Sequence, residues 1–445
     1  MTSKSRASTY PTSKILTMEL FKRAIAGNDI VRVLRIRPFS YMMLSEFLSQ
    51  LAFNMQHFVL IFIIYALTHS NTAVSGLILS FTIPAILFSV ITGVYVDRWS
   101  KKKVLFFTNL MRGVLLLPFL IPNLHIGFIY TLTFLIAVAT QFFLPAESAI
   151  IPTLVPQKLI LSANAIFALG IYGTILAGYI LSGPLLLLLG KTYTIVLLSV
   201  LFFTSTFFVV GIKPLYRKPD NNTQLDPTLD LSIAKEIKEV FSFVKRAKKV
   251  MHALIVLAVA QSIIFMFAVL GPGYVAGVLN VQIESLSLIL IAPAALGMIF
   301  GAFLLGSIGR RFKAKSLSIF GFLVSGLAFV GFPSGSKLTS YGFVSLINSY
   351  LPHLLNITAL HLIVVLAFIV GLAISFMFVP SNATIQIETN EAMRGRVYGF
   401  LNALIGAVSF LPVGLAGGLA DVLGVEAVIT GVGSIMVFVS LVFLL

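Results

Sequence analysis

Glu46, Arg112 and Glu147 each interrupt a run of residues that is otherwise apolar enough to lie in lipid. A charge in such a run is costly, so its position alone makes it a functional candidate. Glu46, Gln50, Asn54 and His57 follow one another at i, i+4, i+8 and i+11, which puts them on one face of a helix. A stripe of that kind faces water or a partner, not lipid. Burial favours the neutral form of a carboxyl group and a nearby cation favours the charged form, so a cation moving near Glu46 would load and release a proton. Glu46 is therefore expected to be the proton-coupling carboxylate, with Arg112 at matching depth holding its charge and Glu147 as the rival partner. A fixed structural ion pair is the plain alternative.

Gln50, Asn54, Gln141 and Gln261 are candidate cavity residues, with an interhelical hydrogen bond as the competing role for each amide. His57 reads as structural, and Phe53, Phe142 and Phe265 are weaker candidates for substrate contact. Other chemistry is missing. The chain has no cysteine, so thiolate ligands, disulfides and a cysteine nucleophile are excluded. Gly190-Lys191-Thr192 imitates the end of a phosphate-binding loop, but Leu185 stands where the first glycine is required. No helix face carries spaced histidines or paired carboxylates, so no metal centre and no cofactor are expected, only a proton gradient.

The elements that position these residues follow from composition. Of 445 residues 58% are hydrophobic and 10% charged, with a mean hydropathy of +1.03, which describes a polytopic membrane protein. A secretory signal is not expected, because the first apolar run begins at Phe39 behind a long polar stretch. Spanning segments need about 20 apolar residues. They are predicted at 39–67, 73–96, 104–122, 126–150, 161–189 and 193–213, then at 251–276, 285–306, 315–333, 358–381, 397–420 and 425–445. The expected fold is all-α, twelve transmembrane helices in two six-helix bundles. Its domains are a basic tail (1–38), a first bundle (39–213), a linker with an amphipathic helix on the membrane surface (214–250) and a second bundle (251–445).

With the N-terminus placed in the cytoplasm, 28 of the 31 lysines and arginines fall on the cytoplasmic side and two, Lys191 and Lys337, outside. That bias predicts cytoplasmic termini. The net charge of +16 is thus a topology signal and not a nucleic-acid signal. The basic tail is expected to meet anionic lipid headgroups.

One charged turn stands out, Gly93-Val94-Tyr95-Val96-Asp97-Arg98-Trp99-Ser100-Lys101-Lys102-Lys103. A partial copy, Gly306 to Lys313, follows 213 residues later without the aspartate. Gly183-Pro184 and Gly417-Gly418, which end two predicted helices at the opposite face, are 234 residues apart. Both distances are near half the chain, the trace of a duplicated bundle. The pattern Gly-x-x-x-Asp-Arg-x-x-Lys-Lys resembles the signature loop of the major facilitator superfamily of secondary transporters. Ser100 stands where that family usually has glycine, and Lys101 where it often has arginine.

Ile151-Pro152-Thr153-Leu154-Val155-Pro156, Ala163-Asn164-Ala165, Leu270 to Leu279 and above all Met393-Arg394-Gly395-Arg396-Val397-Tyr398-Gly399 resemble the branch of macrolide-efflux proteins and the enterobactin exporter. The resemblance implies a plasma-membrane exporter of amphiphilic small molecules driven by proton antiport, expected to be monomeric. An uptake or uniport facilitator of the same fold is the alternative, and a membrane-embedded lipid-modifying enzyme a remote one. Gly93, Asp97, Arg98, Arg394 and Arg396 are the expected conformational switch, with Asp97 latching the two halves at the start of the eleventh span.

Overall fold

The computed structural model describes residues 29–213, 229–338, 358–389 and 391–444. The described chain is helical throughout: α1 (Asp29–Leu34), α2 (Arg37–Thr68), α3 (Asn71–Arg98), α4 (Lys101–Leu116), α5 (Ile126–Leu154), α6 (Ile160–Val210), α7 (Leu229–Arg246), α8 (Lys248–Gly273), α9 (Ala292–Ile308), α10 (Ala314–Leu338), α11 (Ala359–Glu388), α12 (Glu391–Leu423) and α13 (Val425–Leu444). In lipid each backbone N–H and C=O needs a partner within its own segment, which is why apolar runs of this length form helices. Connections are tight. His69 turns α2 into α3 in a left-handed conformation (φ 49°), and Ser70 caps α3 by accepting from the Ala73 N–H.

Among the described residues, eleven helical stretches are long and apolar enough to cross a membrane. One of them counts twice. The 51 residues of α6 would extend about 77 Å at about 1.5 Å per residue, far beyond a bilayer core of about 30 Å. Gly190, at φ 69° and ψ 175°, breaks the helical path. Residues on both sides of it return to the same end of α2, Gly170 to Met43 and Gly211 to Tyr41. The chain therefore doubles back at Gly190, and the eleven stretches make the twelve crossings expected from hydropathy. Gly178 permits the closest approach of the first arm to α2, since a Cβ there would lie 2.7 Å from Asn54 Cβ and 3.3 Å from the Met55 backbone nitrogen.

The core is distributed unevenly along the helices. At the end away from the α7 linker, a single apolar cluster joins residues from both sequence halves, among them Ile64, Leu77, Phe202, Leu270, Phe332, Val413 and Val428. At the linker end the core is split. One cluster holds Val33, Phe39, Val104, Ile150, Leu154 and Val209, and a separate one holds Val240, Val244, Leu254, Ile385 and Val397. Facing positions on α12 show the same divergence. A Cβ on Gly417 would meet Asn71 and Ser75 of α3, and one on Gly406 would meet Ile86, whereas one on Gly399 or Gly395 meets none of the described residues within 4 Å. The two sides are packed at the far end and spread at the linker end.

Helix α7 packs on the second sequence half through its C-terminal residues. Val240 and Val244 are buried against Val250, Leu254 and Val397, while Phe241 stays 52% exposed. Arg396 adds an exposed ion pair to Glu239 at 3.4 Å.

Candidate functional site

The site is built where α2, α4, α5 and the second arm of α6 meet. Glu46 and Glu147 are 2% and 3% exposed, and their carboxyl groups lie within hydrogen-bonding reach of one another. Gln50, one turn beyond Glu46, donates from Nε2 to both Glu147 oxygens at 3.4 and 3.5 Å. Oε1 of Glu46 is buried with no donor. Two carboxyls from different helices thus form a contact that the sequence could not place on any single face.

Arg112 is 1% exposed and lies close enough to feel both carboxyl groups, but it forms no ion pair with either among the described residues. Its Nη2 donates to Ser49 Oγ at 3.0 Å and to Asn109 Oδ1, and its Nε donates to the Thr108 carbonyl at 3.4 Å. The guanidinium carbon lies 4.1 Å from the Phe143 ring centroid and 4.9 Å from that of Phe202. A cation held by neutral acceptors and aromatic faces is stabilised by the ring quadrupoles where water is absent.

The acceptors form a chain. Ser49 Oγ donates to Asn109 Oδ1 at 2.8 Å, Asn109 Nδ2 donates to Ser205 Oγ at 2.9 Å, and Ser205 Oγ lies 2.8 Å from both Ser45 Oγ and the Ser45 carbonyl oxygen. Ser45, Ser49, Asn109, Ser205, Phe143 and Phe202 were not singled out from sequence. The available signals were the four-residue spacing of Ser45 and Ser49 beside Glu46 and Gln50, and Asn109 one turn before Arg112.

The remaining predicted residues scatter. Asn54 is buried, donates to the Gln50 carbonyl at 2.8 Å, and packs on Gly178. Gln141 and Gln261 are half-buried. His57 lies between Phe53 and Phe81, ring centroids 4.3 and 4.5 Å away, and Phe81 meets Phe265 of α8 at 6.3 Å. Phe142 stacks on Trp99, 5.8 Å between centroids. Gly93 lies in α3, but its surroundings, like the side chains of Asp97, Arg98 and Arg394, fall outside the described residues. Arg396 is described and turns to Glu239 of the linker.

The family model of the Major Facilitator Superfamily matches residues 42–411. The chain belongs to that superfamily. It is a transporter and not an enzyme, which removes the lipid-modifying alternative, and its apolar helices fit a multi-pass plasma-membrane protein. It is 25% identical over 435 residues to the uncharacterized MFS-type transporter YvqJ of Bacillus subtilis, covering 91% of this chain and 93% of that one. Macrolide efflux protein A of Streptococcus pyogenes is 23% identical over 375 residues, 81% of this chain and 84% of that protein. The crystal structure of the nucleoside transporter NupG superposes with a TM-score of 0.68 over 92% of this chain and 98% of that one, at 12% identity, which bears on fold alone.

Proposed function

We propose that this superfamily member is a proton-coupled exporter of amphiphilic small molecules working by alternating access, with the coupling proton held between Glu46 and Glu147. The carboxyl pair carries the reading. Two negative charges side by side and away from water oppose one another, so one proton shared between them is the arrangement of least cost. The O–H of one carboxyl would then donate to the other, at a site where Glu46 Oε1 is buried with no donor. Arg112 biases the pair through space and leaves the proton free to exchange. One proton moving down about 100 mV is worth about 2.3 kcal/mol, enough for a substrate gradient of roughly 50-fold.

Amphiphilic substrates are supported by the macrolide-efflux relative and by the run of rings Phe53, His57, Phe81 and Phe265 that joins α2, α3 and α8. The concentration of Lys and Arg at the linker end supports a cytoplasmic linker and cytoplasmic termini. On that topology the basic tail meets anionic lipids and the protein works as a monomer.

The test is transport in proteoliposomes with an imposed pH gradient, using a macrolide and a lipophilic cation as probes. Glu46→Gln and Glu147→Gln should each keep ligand-induced thermal stabilisation and lose accumulation against a gradient. Full gradient-driven accumulation by the double variant would overturn proton coupling at this pair, and accumulation only with the reversed gradient would show uptake.

A further inference from the structure

Asp421, at the far end of α12, makes the densest polar contact between the two sequence halves among the described residues. Its Oδ1 accepts from the Asn71 backbone N–H at 2.8 Å and from Asn71 Nδ2 at 2.9 Å. Its Oδ2 accepts from Ser70 Oγ at 2.6 Å, the Thr72 backbone N–H at 2.9 Å and Thr72 Oγ1 at 2.7 Å. These donors form the first turn of α3, whose free N–H groups and aligned peptide dipoles favour an anion. One carboxylate from the second half thus completes a helix that begins in the first.

Two close backbone approaches flank this cap, and they are related by the internal repeat. A Cβ on Gly417 would lie 2.2 Å from Ser75 Oγ and 2.5 Å from the Asn71 carbonyl oxygen. A Cβ on Gly183 would lie 1.9 Å from Ser287 Oγ and 2.3 Å from the Glu284 carbonyl oxygen. Gly183 and Gly417 are 234 positions apart, and Ser75 and Ser287 are 212 apart. Each half therefore sets a glycine against a serine of the other, and only one of the two contacts carries an aspartate.

We propose that Asp421 is the latch of the far gate: its carboxylate caps α3 while that end is closed, and its release, with separation of the two glycine–serine contacts, opens the exit. Asp421 and Thr72 are exposed at the rim, so on opening every donor and both carboxylate oxygens pass to water. A contact that can be exchanged for water is reversible, whereas the buried bonds around Arg112 are not. The spread of the helices at the linker end gives this latch its state, closed at one end while open at the other. The inference depends on the transporter fold and not on the proposed substrate or ion.

The chain has no cysteine, so single reporters can be introduced without background. Leu79→Cys sits one turn below Ser75 in the closed contact, and Asn402→Cys lies exposed at the spread end of α12. Both are labelled with an impermeant maleimide in right-side-out and inside-out vesicles, with no substrate and no pH gradient. Asp421→Asn and Gly417→Ala should each raise labelling of Leu79→Cys and lower that of Asn402→Cys, moving their ratio by about tenfold. The reciprocal fall separates a latch from a staple, because loosening a structural contact raises one signal without lowering the other. Should either variant fail to fold, Thr72→Val removes one donor, keeps the backbone N–H, and should move the ratio in the same direction. An unchanged ratio, or a rise at Leu79→Cys with no fall at Asn402→Cys, overturns the proposal. Failure of the export reading would leave these labelling results unaffected.

Discussion

Arg112 lays its guanidinium over the ring of Phe143, 4.1 Å from its centroid, and donates its hydrogen bonds to neutral groups. The cation is thus housed without a counter-ion in contact. Arg112→Ala would leave a buried void beside Phe143 and Phe202 while Ser49 keeps its bond to Asn109, and should cost roughly 2–5 kcal/mol, the range for large-to-alanine changes in a core. Thermal unfolding in detergent measures this. Phe143→Leu removes the ring face and little volume, and should cost about 1–2 kcal/mol.

Gly178 gives a second stability test. Gly178→Ala would press a methyl group on Asn54 Cβ and the Met55 backbone, which cannot swing away. The expected loss is about 1–3 kcal/mol from overpacking. A melting temperature equal to that of the unaltered protein would show that α2 and α6 have room to part.

Much of this molecule is legible in the residues. The spans follow from the length of the apolar runs, and the turn at Gly190 from a glycine-bounded break between two of them. Glu46, Arg112 and Glu147 were visible because charge is rare in such runs. Their arrangement was not visible, because which faces of α2, α4 and α5 oppose each other is decided by packing between helices. Spacing on one helix cannot report that Glu46 meets Glu147 or that Arg112 faces Phe143 and Phe202. Asp421 shows the same limit, since it stood within a recognised helix end while its partners lie 350 positions earlier. The periodicity of the linker likewise could not report that Val240 and Val244 pack with Val250 and Val397.

The linker offers a third test. Val244 is 0% exposed in the cluster that seats α7. Val244→Asp should release α7 and speed protease cleavage within 229–246 several-fold, because cleavage follows the population of the open form. Arg396→Gln should change it little, since an exposed ion pair contributes at most about 1 kcal/mol.

Sidedness is tested by labelling two exposed connections. His125→Cys, between α4 and α5, should react with an impermeant reagent on intact cells, and Gln157→Cys, between α5 and α6, only after permeabilisation. The reverse pattern would invert the membrane orientation.

The neutral chain around Arg112 also imposes an order on synthesis. Arg112 enters the bilayer on the third span, but its housing includes Phe143 on the fourth, while Ser205, which fixes Asn109, and Phe202 arrive only with the returning arm of α6. Until the ribosome has delivered that arm, the nascent chain carries a cation whose cradle is unfinished. A chain released after residue 213 should persist in the membrane, while one released after residue 155 should be degraded.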